Sequence, residues 1–257
     1  MNKPAPQPAP HAPPTPEDDR RGGTLHLIPV GLGEAAPELW LPQAARELAA
    51  GLTTYIAENA RTARAFLKLI GTHAPLQDIV IHTLDRKTDA AQMRAWLQPL
   101  LAGGDIGLVS EAGCPAVADP GARVVALAHG MGLRVRPWVG PSSILLGLMA
   151  SGLDGQRFAF HGYAPVDAAE RTQRLRAWED ASRKQEQTQI MIETPYRNAA
   201  LFEALCRSLK GSTRLCVARA LTTRDEWIQT RAVSDWNGRP APELGKLPTL
   251  FLFLAAR

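Results

Sequence analysis

The sequence predicts an α/β fold in two α/β domains, and three observations carry that prediction. From Thr24 onward, short apolar runs alternate with longer segments whose apolar residues recur every three or four positions, the order of a largely parallel sheet with crossing helices. A glycine-punctuated junction, "GLDGQ" at 152–156, splits this alternation into two halves. The composition, 45% hydrophobic and 21% charged over 257 residues, is that of an ordinary globular protein with length for two cores of roughly 100–150 residues each.

The elements follow in order. Residues 1–21, "MNKPAPQPAPHAPPTPEDDRR", offer little to bury and are expected to form a disordered, Pro/Ala-rich tail. They lack the apolar core of a signal peptide. No later stretch reaches the roughly 18–20 apolar residues that span a bilayer, so the expectation is a cytoplasmic protein with no membrane partner. In the first domain, expected at 22–152, the strands are "TLHLIPV", "LTTYIA", "DIVIHTL", "DIGLV" and "LRVRPWV". Between them, "PQAARELAA", "ARTARAFLKLIG", "AAQMRAWLQPLLAGG" and "ARVVALAHGMG" have helical spacing, several ending on glycine. A fifth helix, "PSSILLGLMASG", closes this half at Gly152. The second domain, expected at 153–257, reads as strand "RFAFHGY", helix "AERTQRLRAWEDASRK", strand "QTQIMIE", helix "NAALFEALCRSL", and strands "TRLCVARAL", "EWIQTRAV" and "TLFLFLAA".

Composition excludes several function classes. Cys114, Cys206 and Cys216 are odd in number and lack metal-ligand spacing, against both a disulfide framework and a zinc site; Cys206 and Cys216 read as core residues and Cys114 as a compact turn side chain. The formal charge of +4 is mildly basic, compatible with a polyanionic partner without being a nucleic-acid signature. There is no G-x-x-x-x-G-K-[ST] phosphate loop, and "PVGLGE" carries only Gly31 and Gly33 of a dinucleotide fingerprint.

The informative segments lie at strand ends, where an open α/β sheet binds its ligands. The first is "PVGLGE". The second is "SEAGCPAVADPG" at 110–121, in which Asp119 and Pro120 are placed to start the next helix. The third is "VGPSS", where Gly140 and Pro141 turn the chain and Ser142 or Ser143 can cap a helix. These segments are either tight connections or three walls of one crevice.

"SEAGCPAVADPG" followed by "GPSS" resembles the S-D-A-G-T-P-x-x-x-D-P-G and G-P-S-A segments of the tetrapyrrole (corrin/porphyrin) methylase superfamily. Most similar is its branch of small-subunit ribosomal RNA ribose 2'-O-methyltransferases. "TLHLIPVGLGE", "ENARTARAFL", "ASGLDGQRFAFHGYAP", "IETPYR" and "VARALT" are similar to that branch's opening strand and loop, its E-D-T-R segment, its domain junction, its Y-E-A-P-H-R and its A-R-E-L-T.

The resemblance implies a methyltransferase dependent on S-adenosyl-L-methionine, with two α/β domains, the cofactor in the cleft between them, no metal, and a homodimer. By position, the implied cofactor contacts are Pro29, Gly31 and Gly33; Ser110, Glu111, Ala112, Gly113, Pro115 and Val117; Gly140, Pro141 and Ser142; and, from the second domain, Glu193, Tyr196 and Arg197. Candidates on the acceptor side are Glu58, Asn59, Arg61 and Arg219. Methyl transfer from a sulfonium asks a protein mainly to align donor and acceptor and to remove a proton.

Each residue also has a structural alternative. Glu111 can accept amides of its own turn, Glu58, Asn59 and Arg61 can cap or pair, Arg197 and Arg219 can form internal ion pairs, and Tyr196 can pack between domains. His82 and His161, on strand-like runs, read as structural. Three departures bear on the acceptor: the first loop is shorter than the branch's, Asn59 and Ala220 stand where it has acids, and Thr223 where it has lysine. The substrate therefore stays open between RNA, such as that of the ribosomal subunit, and a small molecule such as a tetrapyrrole. A cofactor-binding module without catalysis is the third alternative.

Overall fold

The computed structural model describes residues 22–256; the expected tail at 1–21 lies outside them. The first half contains five strands, β1 (Thr24–Leu27), β2 (Thr54–Ala57), β3 (Val80–Thr83), β4 (Ile106–Val109) and β5 (Arg134–Pro137), joined through α1 (Gln43–Gly51), α2 (Ala60–Ile70), α3 (Ala90–Leu101) and α4 (Gly121–Gly130). They form one sheet in the order β3-β2-β4-β1-β5, parallel at every pairing. All carboxyl ends, and the loops leaving them, therefore lie along one edge.

Alternation along the central strands splits the core into two layers. Tyr55 and Ala57 face α1 and α2 with Ala45, Ala49, Phe66 and Leu67, whereas Ile56 points the other way, toward Leu97, Leu100 and Val124 of α3 and α4. Strands buried on both faces carry near-continuous apolar runs, which is why "DIGLV" and "LTTYIA" read so plainly.

The second half comprises β6 (Phe158–Tyr163), α6 (Ala168–Gln185), β7 (Thr188–Glu193), α7 (Asn198–Ser208), β8 (Arg214–Arg219), β9 (Trp227–Ala232), a short α8 (Val233–Asn237) and β10 (Thr249–Leu254). Its sheet runs β6-β7-β10-β8-β9. The last strand is inserted at the centre, antiparallel to both β7 and β8, and only β6 and β7 pair in parallel. On β10, Phe251 and Phe253 pack under α6, α7 and α8, while Leu250 and Leu252 face the opposite way.

That opposite face is covered by α5 (Ser143–Ser151). Its Leu148 joins a cluster with Ile190, Cys216, Ala218, Leu221, Leu250 and Leu252, and Gly152 in the left-handed region ends it. The helix that leaves the first sheet thus seats on the second. Among the described residues, no helix is long and apolar enough to cross a membrane.

Candidate active site

The three glycine-bearing loops meet. Val30, after β1, and Gly113, after β4, exchange both backbone hydrogen bonds, at 3.0 and 3.1 Å. The Cys114 thiol donates to the Pro141 carbonyl, after β5, at 3.4 Å. Gly140 lies so close to the first loop that a Cβ there would stand 2.3 Å from Cβ of Pro29, so only glycine permits the approach. Gly113 has φ +73°, and a Cβ on it would reach Leu32 at 3.2 Å and the Pro141 carbonyl at 3.4 Å.

Beside these loops, between the two sheets, is a cleft of about 400 Å³, within the usual span for a small-molecule site. One wall is the first half's strand ends: Glu58, Ser110, Glu111, Ala112, Gly113, Cys114 and the segment Val117–Asp119, with Leu32 and the start of α5 at Ser142, Ser143 and Ile144. The facing wall comes from the second sheet: Phe160 and Tyr163 of β6, Ile192 and Glu193 of β7 with Thr194 and Pro195, Ala218 and Leu221, and Pro248, Thr249 and Leu250.

The loop 110–121 is held open by its own polar groups. The Ser110 hydroxyl donates to the carbonyls of Ala112 and Gly113 at 3.1 and 3.2 Å. The Asp119 carboxylate accepts from the amides of Ala116 at 2.9 Å and Gly121 at 2.7 Å, fixing the first turn of α4. Ala116 and Ala118 sit at φ +65° and +62°, a conformation that costs an L-residue roughly 1–2 kcal/mol and persists where surroundings impose it.

Four carboxylates border the cleft, Glu58, Glu111 and Asp119 on the first wall and Glu193 on the facing one. Burial, then the charges of Asp119 and Glu111, push the Glu58 carboxyl above its ordinary value. Burial raises Asp119 too, against the lowering by its two amide donors. Burial also raises the Cys114 thiol, so it is a weak donor and no thiolate. Among the described residues, no group of three or more His, Cys, Asp and Glu is arranged to hold a metal.

Of the sequence-derived site residues, Glu58, Ser110, Glu111, Ala112, Gly113, Val117, Ser142 and Glu193 line the cleft. The others stand behind it or outside. Pro29, Gly140 and Pro141 form the loop contacts just described, and Pro115 is buried. Gly31 packs against Trp40, and Gly33 against Thr223 of the turn after β8, where an added Cβ would stand 2.6 Å from Thr223 Cγ2.

Glu193, its side chain 1% exposed, is paired with Arg197, whose Nε donates to it at 3.0 Å. Tyr196 is 80% exposed with the Lys246 ammonium 5.2 Å from its ring. Asn59 caps α2, its side chain accepting from the Arg61 amide at 2.9 Å; the Arg61 side chain is exposed. Arg219 donates to the Glu243 and Asp225 carbonyls and lies over the Trp227 ring at 5.8 Å, binding loops of its own half. His82 and His161 stack on Trp96 and Trp178.

The second sheet's apolar wall, Phe160, Ile192 and Leu250, and Asp119 as a cleft residue have no signature in the sequence. Within an alternating strand, nothing local distinguishes the face toward a cleft from the face toward a helix.

No protein-family model matches the chain. A curated protein of Xylella fastidiosa (strain Temecula1) named "Ribosomal RNA small subunit methyltransferase I" is 33% identical over 229 residues, which is 84% of this chain and 78% of the relative. The chain belongs to that methyltransferase family. A relative of the same name from Escherichia coli O157:H7 is 30% identical over 217 residues, covering 84% of this chain and 72% of its own. The protein is accordingly a methyltransferase, and the expected likeness to the small-subunit ribosomal RNA methyltransferases holds. Its fold is shared with the methyltransferase CobJ, whose crystal structure superposes with a TM-score of 0.60 at 19% identity, covering 91% of this chain and 95% of that one. The expected α/β class holds with it, although the largely parallel arrangement is found in the first sheet only, the second being mostly antiparallel.

Proposed function

We propose that the chain binds S-adenosyl-L-methionine in the cleft between its sheets and methylates a ribose 2'-hydroxyl of small-subunit ribosomal RNA. The observation that carries this reading is the convergence of three hydrogen-bonded strand-end loops on one cleft, faced by an apolar wall. The named relatives support the acceptor: both act, by name, on small-subunit ribosomal RNA. The family resemblance supports a cytoplasmic homodimer with domains at 22–152 and 153–257.

The residues present fit the cofactor. Glu58, Glu111 and Asp119 border the cleft and suit a ligand bearing a sulfonium and an ammonium. When bound, the cofactor supplies a methyl group already activated on sulfur. Leu32, Ile144, Phe160, Ile192 and Leu250 exclude water. Ser142 stands at the start of α5 but makes no side-chain capping bond, which leaves its hydroxyl to a ligand. Ser110, Asp119 and Gly113 hold the loop in shape, and Glu58, whose carboxylate is poised above the ordinary range, takes the proton that the acceptor hydroxyl releases.

The test is transfer of tritium from labelled cofactor into ribosomal RNA of cells lacking this protein. Incorporation that survives alkaline hydrolysis as a 2'-O-methylated dinucleotide is the expected result; no incorporation into naked RNA or 30S particles would sink the reading. The departures at Ala220 and Thr223 favour a small-molecule acceptor as the second reading, for which label would enter a metabolite extract instead.

A further inference from the structure

We propose that the outer face of α2, together with the loop after β3, is the strip on which the RNA sugar–phosphate backbone docks beside the cleft. The inference rests on the RNA reading above and names where on this chain that acceptor is held.

Helix α2 is amphipathic. Ala63, Phe66, Leu67 and Ile70 are buried in the first half's core, while Arg61, Arg64 and Lys68 are exposed. Positions i, i+3 and i+7 fall within about 60° of one another around a helix and span roughly 10 Å along it, so the three cations form one short row. One strand of a DNA duplex advances about 3.4 Å per phosphate along its axis, so the row has the length of a few nucleotides.

The row is unlike the other charged helix faces. Helix α1 sets its Arg46 against Glu38, α7 pairs Glu203 with Arg207, and α6 mixes Glu170, Glu179 and Asp180 among its cations. Helix α2 contains no carboxylate. Among the described residues, neither Arg61, Arg64, Lys68 nor the exposed Arg86 takes part in an ion pair. Exposed cations without an ion pair among the described residues suit a polyanion.

Position ties the row to the chemistry. Glu58 lines the cleft and Ala60 begins α2, so Arg61, the first cation of the row, stands three residues from the cleft wall. Strands β2 and β3 run parallel with Ala57 beside Thr83, and the Leu84 amide donates to the Ala57 carbonyl at 2.8 Å. The following turn, Asp85–Thr88, is locked by the Asp85 carboxylate accepting from the Lys87 and Thr88 amides at 2.8 Å each. It carries Arg86 out on the same edge of the sheet as the start of α2.

The test compares the full chain with R61Q/R64Q/K68Q and with a control, R176Q/K184Q/R207Q, that removes the same charge from α6 and α7. Small-subunit ribosomal RNA from cells lacking the protein is titrated across a salt series, with cofactor binding measured alongside. The α2 variant is expected to lose roughly tenfold or more in RNA affinity and to flatten the slope of log affinity against log salt by about two to three, as for three lost phosphate contacts. Cofactor affinity should hold and the control should behave like the parent. Equal RNA affinity and slope in a folded α2 variant would overturn the strip while leaving the RNA reading intact. An equal loss in the control would overturn it too, because net charge would then be the cause. A parent chain that neither binds nor methylates the RNA would overturn both readings.

Discussion

Gly113 shows how much one residue of the cleft wall carries. Its amide and carbonyl are both spent on Val30, its φ is +73°, and a Cβ would press on Leu32. Gly113→Val should therefore strain the turn by roughly 1–3 kcal/mol and drive Leu32 into the cleft. The expected outcome is at least tenfold weaker cofactor binding by calorimetry, with the circular dichroism of the fold retained; unchanged affinity in a folded variant would make the stretch a plain turn. Glu58 gives a prediction in pH. Its carboxyl is raised by burial and by two neighbouring acids, so the fold favours the protonated form. A group raised in this way contributes stability at low pH that is lost as pH rises through its folded value. Glu58→Gln, neutral at every pH, should thus melt higher than the parent at pH 8, with the gap closing as pH falls below the ordinary carboxylate range. If Glu58 is the proton acceptor, the same variant should lose about 100-fold or more in methyl transfer, and the parent's rate should fall with acid at a pH above that ordinary range. A variant that transfers methyl at the parent's rate would remove Glu58 from the chemistry.

Among the elements, α2 tests whether the family's acid position is structural here. Asn59 accepts the Arg61 amide in a cap, and removing such a cap costs about 1 kcal/mol. Asn59→Ala should lower Tm by roughly 2–4 °C, while Asn59→Asp keeps the bond and should keep both Tm and methyl transfer. A rate that collapses in Asn59→Asp with Tm unchanged would assign the side chain to the acceptor instead. The central strands were legible because the sheets bury both their faces: β1, β2, β4, β7, β8 and β10 are mostly buried, whereas the edge strands β5 and β9 carry arginines and polar residues and were marked by their flanking turns and helices. The short α8 was not legible, because Val233–Asn237 follows β9 without a break and is only five residues long. Strand order was not legible either. The insertion of β10 between β7 and β8 depends on long-range pairing that no local pattern encodes, and that insertion brings Thr249 and Leu250 to the cleft. The site divides along the same line. Strand-end glycines announce themselves by turn chemistry, whereas Phe160, Ile192 and Leu250 look like any other core residue.

At the scale of the whole molecule, the two sheets are coupled through α5, which leaves the first and packs on the second. Gly147 makes that seat possible: a Cβ there would stand 2.3 Å from Cδ2 of Leu250, so the helix backbone lies almost directly on β10. A second contact, Gly33 against Thr223, joins the halves across the first loop. Because Ser142, Ser143 and Ile144 at the start of α5 line the cleft while Gly147 and Leu148 fix its middle to the second sheet, lifting the helix must alter the cleft. Gly147→Val should cost roughly 1–3 kcal/mol by overpacking, lowering Tm by several degrees, and should weaken cofactor binding in the same variant. Leu148→Ala makes the opposite error, a void under the helix costing about 2–5 kcal/mol, yet leaves the backbone free to keep its seat. The two variants separate stability from geometry. If the seat of α5 shapes the cleft, calorimetry will show Gly147→Val losing more cofactor affinity than Leu148→Ala even where Leu148→Ala melts lower. If affinity instead tracks Tm across both, α5 stabilises the second half without setting the shape of the site.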